Sequence, residues 1–201
     1  MSPGMLLSAY EQGIFPWYSE GEPILWHSPQ PRFVLFPEEF HVSRRLRRTV
    51  RGNSFTVTFD RDFPQVIAGC KKIERLGQAG TWITDEMEAA YTELHELGYA
   101  HSVEVWRGDT LAGGLYGVSL GQIYFGESMF AQQRDASKVG FVTLADRLFG
   151  LGFRLIDSQV YTDHLARFGA REIPRDRYLA LLDEALDGET LRGSWSRYEP
   201  G

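Results

Sequence analysis

The sequence has a single cysteine, Cys70, among its 201 residues, so no disulfide can form within the chain. This is typical of proteins from a reducing compartment, and we expect the cytoplasm. No apolar run approaches the roughly 20 residues that span a bilayer, and no basic stretch followed by an apolar run opens the chain. Membrane insertion and secretion are therefore not expected. The histidines lack the spacing of metal ligands, so we expect no metal site.

Positive charge is also scarce, because the formal net charge is −6. This value alone argues against a polyanionic partner. Residues 32–51 are the exception, since six arginines and two glutamates give this stretch a charge of +4 and leave −10 on the rest. Its arginines at 44, 47, 48 and 51 have helical spacing, which predicts that Arg44, Arg47, Arg48 and Arg51 line one face of a helix. That face is either a solvated surface or a phosphate-binding one.

Hydrophobic periodicity and turn residues predict most of the remaining elements. The expected helices cover residues 6–12, 42–51, 84–97, 136–150, 163–168 and 175–186, and the expected strands cover 24–27, 33–36, 55–59, 102–107, 110–119, 122–130 and 154–160. The three strands between 102 and 130 predict an antiparallel meander. The fold class is therefore α+β with a largely antiparallel sheet, an arrangement of the kind found in N-acetyltransferase-type domains. Residues 132–138 contain no glycine to cradle a pyrophosphate, so coenzyme A is a poor candidate donor.

Candidate chemistry concentrates at the ends of two of these strands. Glu127 falls on a predicted apolar face with Ile123, Phe125 and Met129, where an unpaired carboxylate would be costly to desolvate. It is either a functional group or a structural acid that satisfies backbone donors. Asp157 and Gln159 lie two residues apart in a predicted strand, which places them on one face with Cα atoms about 7 Å apart. They either act together on one bound group or belong to a wet edge strand.

Tryptophans accompany the basic stretch in the same half of the chain. Trp17, Trp26 and Trp82 are candidates for stacking on an unpaired RNA base. Core packing explains Trp17 and Trp26 equally well, whereas Trp82 follows a Gly-Thr pair outside any regular element. Aromatic residues beside a basic helix favour RNA as the polyanionic partner.

Taken together, these segments resemble the leucyl/phenylalanyl-tRNA-protein transferase family. The matching segments are AYEQGIFPWYS, PILWHSPQPR, the start of HVSRRLRR, GTWITDEM, LHELGYAHSVEVW, GGLYGVSLGQIYFGESMF, DASK, LIDSQV and GAREIPRDRYL. They are colinear over nearly the whole chain. The resemblance implies a small N-terminal domain, residues 1–60, and an acetyltransferase-like domain, residues 61–201. It also implies transfer of Leu or Phe, with Met as a third candidate, from aminoacyl-tRNA to proteins that begin with Arg or Lys, which marks them for N-end-rule degradation.

The resemblance further implies roles for individual residues. It assigns Trp17 and Trp82 to the terminal adenosine, and Glu127, Asp157 and Gln159 to catalysis or substrate orientation. Lining positions of the aminoacyl pocket are implied for Leu115, Met129, Ile156 and Ser158. Arg44 and Arg48 match tRNA-binding positions, and Arg47 and Arg51 lie beside them. Tyr124, Leu144 and Leu148 stand where phenylalanine is expected.

The expected chemistry needs no cofactor, because tRNA delivers an amino acid already activated as an ester. An α-amine has a pKa of about 7.7–8.0, so a useful fraction is neutral at pH 7 and no strong base is required. We expect Gln159 to position this amine and Asp157 to fix the amide and stabilise the developing ammonium, while Glu127 holds an ammonium group. The alternatives are a related transferase with another acceptor, either an acidic N-terminus or a cell-wall peptide, and a non-catalytic module that binds tRNA ends.

Overall fold

A computed structural model describes residues 1–19, 21–73 and 83–198. The described residues form a mixed α+β structure with seven α-helices and nine strands. In chain order they are α1 (Pro3–Glu11), β1 (Phe15–Pro16), β2 (Trp26–His27), β3 (Arg32–Leu35), α2 (Arg44–Arg51), β4 (Thr56–Phe59), α3 (Phe63–Lys71), α4 (Asp85–Glu96), β5 (Ala100–Arg107), β6 (Thr110–Leu120), β7 (Ile123–Ala131), α5 (Ala136–Gly150), β8 (Leu155–Asp157), α6 (Asp163–Ala166), β9 (Arg171–Ile173) and α7 (Arg175–Leu186). Within these ranges, no helix is both long and apolar enough to cross a membrane.

The helices with the strongest sequence signals have the bounds that agree best with the prediction. Helix α4 begins after Thr84, whose hydroxyl accepts a hydrogen bond from the Met87 backbone N–H at 3.2 Å, and the chain leaves it at Gly98 with φ 81°. Helices α5 and α7 have the predicted bounds. The arginine-rich helix is confirmed as α2, capped by Ser43.

Helix α3 and strand β9 are not predicted from the sequence. Helix α3 has a start signal, since Asp62 accepts from the Gln65 backbone N–H at 3.1 Å and a proline stands in the first turn. Strand β9 is three residues long, which is too short for periodicity to register.

The large sheet contains seven strands in the order β4-β5-β6-β7-β8-β3-β9. Strands β5, β6 and β7 form the predicted antiparallel meander, but β7 and β8 are parallel because α5 crosses over between them. The sheet is therefore mixed, which corrects the expectation of a largely antiparallel sheet. Strand β3 pairs with β8 and β9, so residues from both sides of position 60 share one sheet.

Helices cover both faces of this sheet. One apolar cluster packs α1, α3, α4 and α7 on the first face, and a second packs α2, α5 and α6 on the other. Successive residues of the meander alternate between the two clusters, as expected for strands buried on both faces. The side chains of β7 can therefore reach either layer, which matters for the site described next.

Candidate functional site

A cavity of about 430 Å³ opens where β7 and β8 diverge. The two strands pair from Ile123 opposite Leu155 to Phe125 opposite Asp157. Beyond this point Gly126 and the residues that follow it face the chain after Asp157 across the cavity. The residues that line it are Phe15, Pro16, Trp17, Ile73, Leu115, Tyr116, Tyr124, Gly126, Glu127, Ser128, Met129, Phe130, Ala131, Ser137, Phe141, Leu144, Ile156, Ser158, Gln159, Val160, Thr162, His164 and Leu165.

Most of the residues singled out from the sequence meet at this cavity. Its wall includes Trp17, Leu115, Glu127, Met129, Ile156, Ser158 and Gln159. Asp157 is fully buried behind the wall and does not line it. Trp82 lies outside the described residues, and the arginines of α2 lie elsewhere. Separate segments of the chain, from β1 to α6, thus converge on one pocket.

Glu127 lies at a β-bulge, which changes the face predicted for its neighbours. Gly117 pairs with Gly126 and Tyr116 pairs with Ser128, so Glu127 is the extra residue of β7. The extra residue reverses the alternation that follows it. Phe125 therefore packs in one apolar cluster and Met129 in the other, and the prediction that they share a face is wrong.

The Glu127 carboxylate contacts three polar side chains. Tyr10 of α1 donates to its Oε1 at 2.7 Å, Tyr91 of α4 donates to its Oε2 at 3.0 Å, and the Gln159 amide donates to Oε1 at 2.8 Å. The two tyrosine hydroxyls also lie 2.5 Å from each other. Burial is the main cause that raises the pKa of Glu127 to about 7, and the nearby Asp157 charge adds to the rise, while these hydrogen bonds oppose it.

Gln159 is reached by a turn and not by the predicted strand. Strand β8 ends at Asp157, and Gln159 has a φ of 63°, a left-handed conformation that is uncommon for residues other than glycine. The Gln159 backbone N–H donates to Asp157 Oδ1 at 2.9 Å. The prediction that Asp157 and Gln159 present side chains on one strand face is therefore wrong, because the turn points the amide of Gln159 at Glu127.

Asp157 forms a buried ion pair that the sequence analysis does not anticipate. Arg32 of β3 donates from Nε to Oδ1 at 2.8 Å and from a terminal nitrogen to Oδ2 at 2.6 Å, a bidentate arrangement. The Tyr178 hydroxyl donates to Oδ2 at 2.7 Å, and Arg32 also donates to the Gly13 carbonyl at 3.0 Å. Asp157 thus joins β8 to β3 and α7 and holds the Gln159 turn from behind.

The remaining wall of the cavity is largely apolar. It is formed by side chains of β6, β7, α5 and β8, among them Leu115, Met129, Phe141, Leu144 and Ile156. Tyr124 contributes its ring, which lies so close to Gly117 that a Cβ there would be 2.6 Å from its Cζ. Such a wall suits an aliphatic or aromatic group, with the Glu127–Gln159 pair as the polar end.

Trp17 lines the cavity, whereas the residues of the arginine helix α2 do not. Trp17 is half-buried at the wall, and its backbone N–H donates to the Leu25 carbonyl at 2.9 Å. Helix α2 packs against α5, whose other residues reach the wall. Arg44, Arg48 and Arg51 are exposed, whereas Arg47 pairs with Asp146 of α5.

Four residues that organise the site are missed by the sequence analysis. They are Tyr10, Arg32, Tyr91 and Tyr178. Tyr91 stands among the apolar positions of α4, and its ring is buried. The one sequence feature that indicates any of these four residues is the charge of Arg32 at the start of the otherwise apolar strand β3. Its partner is 125 residues away, so the pairing cannot be read from local sequence.

Comparisons with known proteins identify the family to which the chain is similar. Residues 34–183 match the family model described as leucyl/phenylalanyl-tRNA protein transferase, and residues 1–30 match the model of the N-terminal domain of that protein. A leucyl/phenylalanyl-tRNA–protein transferase of Myxococcus xanthus is 58% identical over 196 residues, covering 98% of this chain and 84% of that protein. The corresponding protein of Syntrophus aciditrophicus is 59% identical over 198 residues, covering 98% and 83%.

The similarity to one solved structure is much weaker. A GCN5-related N-acetyltransferase from Kribbella flavida aligns with a TM-score of 0.42 and 8% identity, covering 86% of this chain and 61% of that one. The family models and the high-identity relatives span nearly all of the chain. The chain therefore belongs to the leucyl/phenylalanyl-tRNA–protein transferase family.

Proposed function

We propose that this chain transfers a leucyl or phenylalanyl group from tRNA to the N-terminal amine of proteins that begin with arginine or lysine, with methionine as a third candidate donor. The family and its high-identity relatives support an aminoacyltransferase. The observation that carries the proposal is the cavity, which joins a largely apolar wall to the hydrogen-bonded Glu127–Gln159 pair. An apolar amino acid side chain suits the wall, and the reacting ester suits the polar end.

The donor pocket has two parts in this proposal. Leu115, Met129, Ile156 and Ser158 contact the aminoacyl side chain. Trp17 stacks on the terminal adenine, together with Trp82. Support for the first part is that these four residues line one cavity of about 430 Å³, within the range of pockets for small ligands. Support for the second part is that Trp17 borders the same cavity and is half-buried, which leaves part of its ring free to stack.

Transfer requires the amine nitrogen to attack the ester carbonyl carbon while the bond to the ribose oxygen breaks. The nitrogen loses one proton and the ribose oxygen gains one, so the reaction is balanced without a cofactor. Gln159 positions the amine, because its amide is held at the polar end of the cavity by Glu127. Asp157 acts through the backbone of Gln159 and not on the substrate, since its carboxylate is fully buried against Arg32. Alignment of the reactants is then the main source of rate.

The tRNA body is held by Arg44, Arg47, Arg48 and Arg51 in this proposal. Three of these arginines are exposed on one short helix, and such a face attracts phosphates even on an acidic protein. Arg47 already pairs with Asp146, so we expect it to contribute less than the others.

Three further features complete the proposal. The part from residue 61 onward is acetyltransferase-like, which the antiparallel meander followed by a crossover helix and a parallel strand supports. Residues 1–60 form the smaller domain, although β3 joins the large sheet. The reaction takes place in the cytoplasm, where charged tRNA is made.

The test is transfer of a labelled amino acid from Phe-tRNA, Leu-tRNA or Met-tRNA to peptides that begin with Arg, Lys, Asp, Glu or Ala. We expect transfer of Phe and Leu to the Arg and Lys peptides. Transfer to the acidic peptides alone would keep the enzyme class and contradict the acceptor assignment. No transfer to any peptide, with tRNA binding intact, would favour a non-catalytic tRNA-binding module.

A further inference from the structure

Three oxygen atoms from three elements form a closed triangle beside the cavity. The Tyr10 hydroxyl lies 2.7 Å from Glu127 Oε1, the Tyr91 hydroxyl lies 3.0 Å from Oε2, and the two hydroxyls lie 2.5 Å apart. Tyr10 and Tyr91 are fully buried, and Glu127 is 9% exposed. All three contacts are within hydrogen-bond distance, so each of them needs a proton.

Two phenol protons cannot satisfy three contacts. With an ionised Glu127, both tyrosines can donate to the carboxylate, but their own oxygens then face each other at 2.5 Å with no proton between them. Alternatively, Tyr91 donates to Tyr10 and Tyr10 donates to Oε1, which leaves the contact between Tyr91 and Oε2 without a proton. Either arrangement brings lone pairs together in a buried place, where such contacts are costly.

A third proton on Oε2 removes the conflict. The protonated carboxyl then donates to Tyr91, Tyr91 donates to Tyr10, and Tyr10 donates to Oε1. Oε1 also accepts from the Gln159 amide, as a carbonyl-type oxygen with two lone pairs can do. Each of the three contacts then contains one proton, and the bonds run in one direction around the ring, an arrangement in which they strengthen each other.

We propose that Tyr10, Tyr91 and Glu127 share three protons in this closed ring, so that Glu127 is a neutral carboxylic acid in the resting site. Tyr10 and Tyr91 are then positioning residues that hold the protonated carboxyl and, through it, the Gln159 amide. Nothing in this assignment depends on which amino acid or acceptor the protein uses.

The charges around the carboxyl are consistent with a neutral group. Among the residues that the structure describes, the titratable and charged groups that face it are Tyr10 on α1, Tyr91 on α4, Tyr124 on its own strand, Asp157 on β8 and Arg32 on β3. Arg32 is neutralised by its bidentate pair with Asp157, so it is not a free counter-ion for Glu127. Burial also raises the pKa values of both tyrosines, which keeps their hydroxyls protonated.

The consequence for catalysis rests on the proposed function. A neutral carboxyl does not stabilise an incoming ammonium, whereas it can accept a hydrogen bond from an uncharged amine. The resting site would thus favour the free-base form of the acceptor, which is the form that attacks an ester. In this proposal Glu127 accepts from an uncharged amine and does not hold an ammonium group, in contrast to the expectation from the sequence.

The experiment is an infrared titration of the full chain, which follows the carbonyl band of protonated carboxylic acids as pH rises. The band that Glu127→Gln removes belongs to Glu127, and this subtraction excludes Glu104, whose pKa burial also raises. We expect its midpoint at about 7 or higher in the wild-type protein, because the ring adds to the effect of burial. In Tyr10→Phe and Tyr91→Phe the ring is broken, the remaining hydroxyl can donate to an ionised carboxylate without conflict, and the midpoint should fall by about one unit or more.

The direction of the shift decides between two models. If the tyrosines were merely two donors to an ionised carboxylate, removing either hydroxyl would raise the midpoint. A rise or no change in both folded variants would therefore overturn the proposal, as would a wild-type midpoint near 4.5, the ordinary value for glutamate. Where one of the two variants does not fold, the other still gives the direction of the shift. Since no tRNA is present, the outcome is independent of whether transfer activity is found.

Discussion

Asp157 and Glu127 are buried acids at one site, and their partners give them different properties. Asp157 has a bidentate guanidinium and a tyrosine hydroxyl, which supply the opposite charge that a buried carboxylate needs. Among the described residues, Glu127 has hydroxyl and amide partners only, so burial dominates and its pKa rises to about 7. The sequence identifies both acids as candidates, but it cannot separate a fixed structural charge from a group that titrates near neutrality.

Because of this ion pair, we expect substitution of Asp157 to lower the free energy of unfolding rather than to act directly on the transfer reaction. Asp157→Asn would leave the fully buried Arg32 without its counter-charge, which destabilises a protein by about 3–5 kcal/mol. We expect a loss of this size in urea unfolding. Gln159→Ala is the matched control, because it removes a neutral hydrogen bond and should lower the free energy of unfolding by only about 1 kcal/mol. An Asp157→Asn protein that is as stable as wild type and inactive would instead indicate a direct catalytic role.

The raised pKa of Glu127 predicts that the free energy of unfolding falls as the pH rises. Its pKa is about 7 in the folded protein and 4.5 ordinarily, so the folded state binds the proton more tightly. Its favourable contribution is complete below about pH 4.5 and is lost as the pH rises to about 7, and the free energy of unfolding falls by about 3 kcal/mol over this window. In Glu127→Gln this component should be absent. Parallel stability curves for the two proteins, measured by urea unfolding, would show that folding does not shift the pKa of Glu127.

At the scale of elements, the sequence predicts what is local and misses what is long-range. Caps and periodicity locate α2, α4, α5 and α7, because these signals lie within the helices themselves. The bulge at Glu127 and the left-handed turn at Gln159 both interrupt a strand period, and simple alternation extrapolates through them. Both irregularities fall at the site, so local patterns fail where the polar groups are placed.

The arginine helix predicts a salt-dependent interaction with tRNA. Three or four phosphate contacts give a slope of about −2 to −4 for log K against log[salt]. We expect Arg44→Ala and Arg48→Ala each to reduce this slope by about one, because both side chains are exposed. Arg47→Ala is the matched comparison and should change the slope less, since Arg47 pairs with Asp146. Filter-binding titrations would measure these slopes, and an unchanged slope in all three variants would exclude α2 from the interface.

For the whole molecule, the two apolar clusters explain why the site is where it is. Each face of the sheet carries its own helical layer, and β7 and β8 diverge between them. Residues from distant parts of the chain therefore meet at one cavity, and both Trp17 and His164 line it. The pattern of predicted elements gives the α+β class, and seven of the residues to which the resemblance gives a role lie in the wall. The tyrosine and arginine partners behind the wall follow only from the folded chain.

The most direct test of the proposed chemistry is the maximal rate of transfer from Phe-tRNA to a peptide that begins with arginine, measured for wild type and Gln159→Ala at saturating concentrations of both substrates. If Gln159 aligns the amine, the variant should fold and bind tRNA normally while kcat falls about 100-fold. A Gln159→Ala protein that is folded, binds tRNA and retains the wild-type kcat would contradict the assignment of the site.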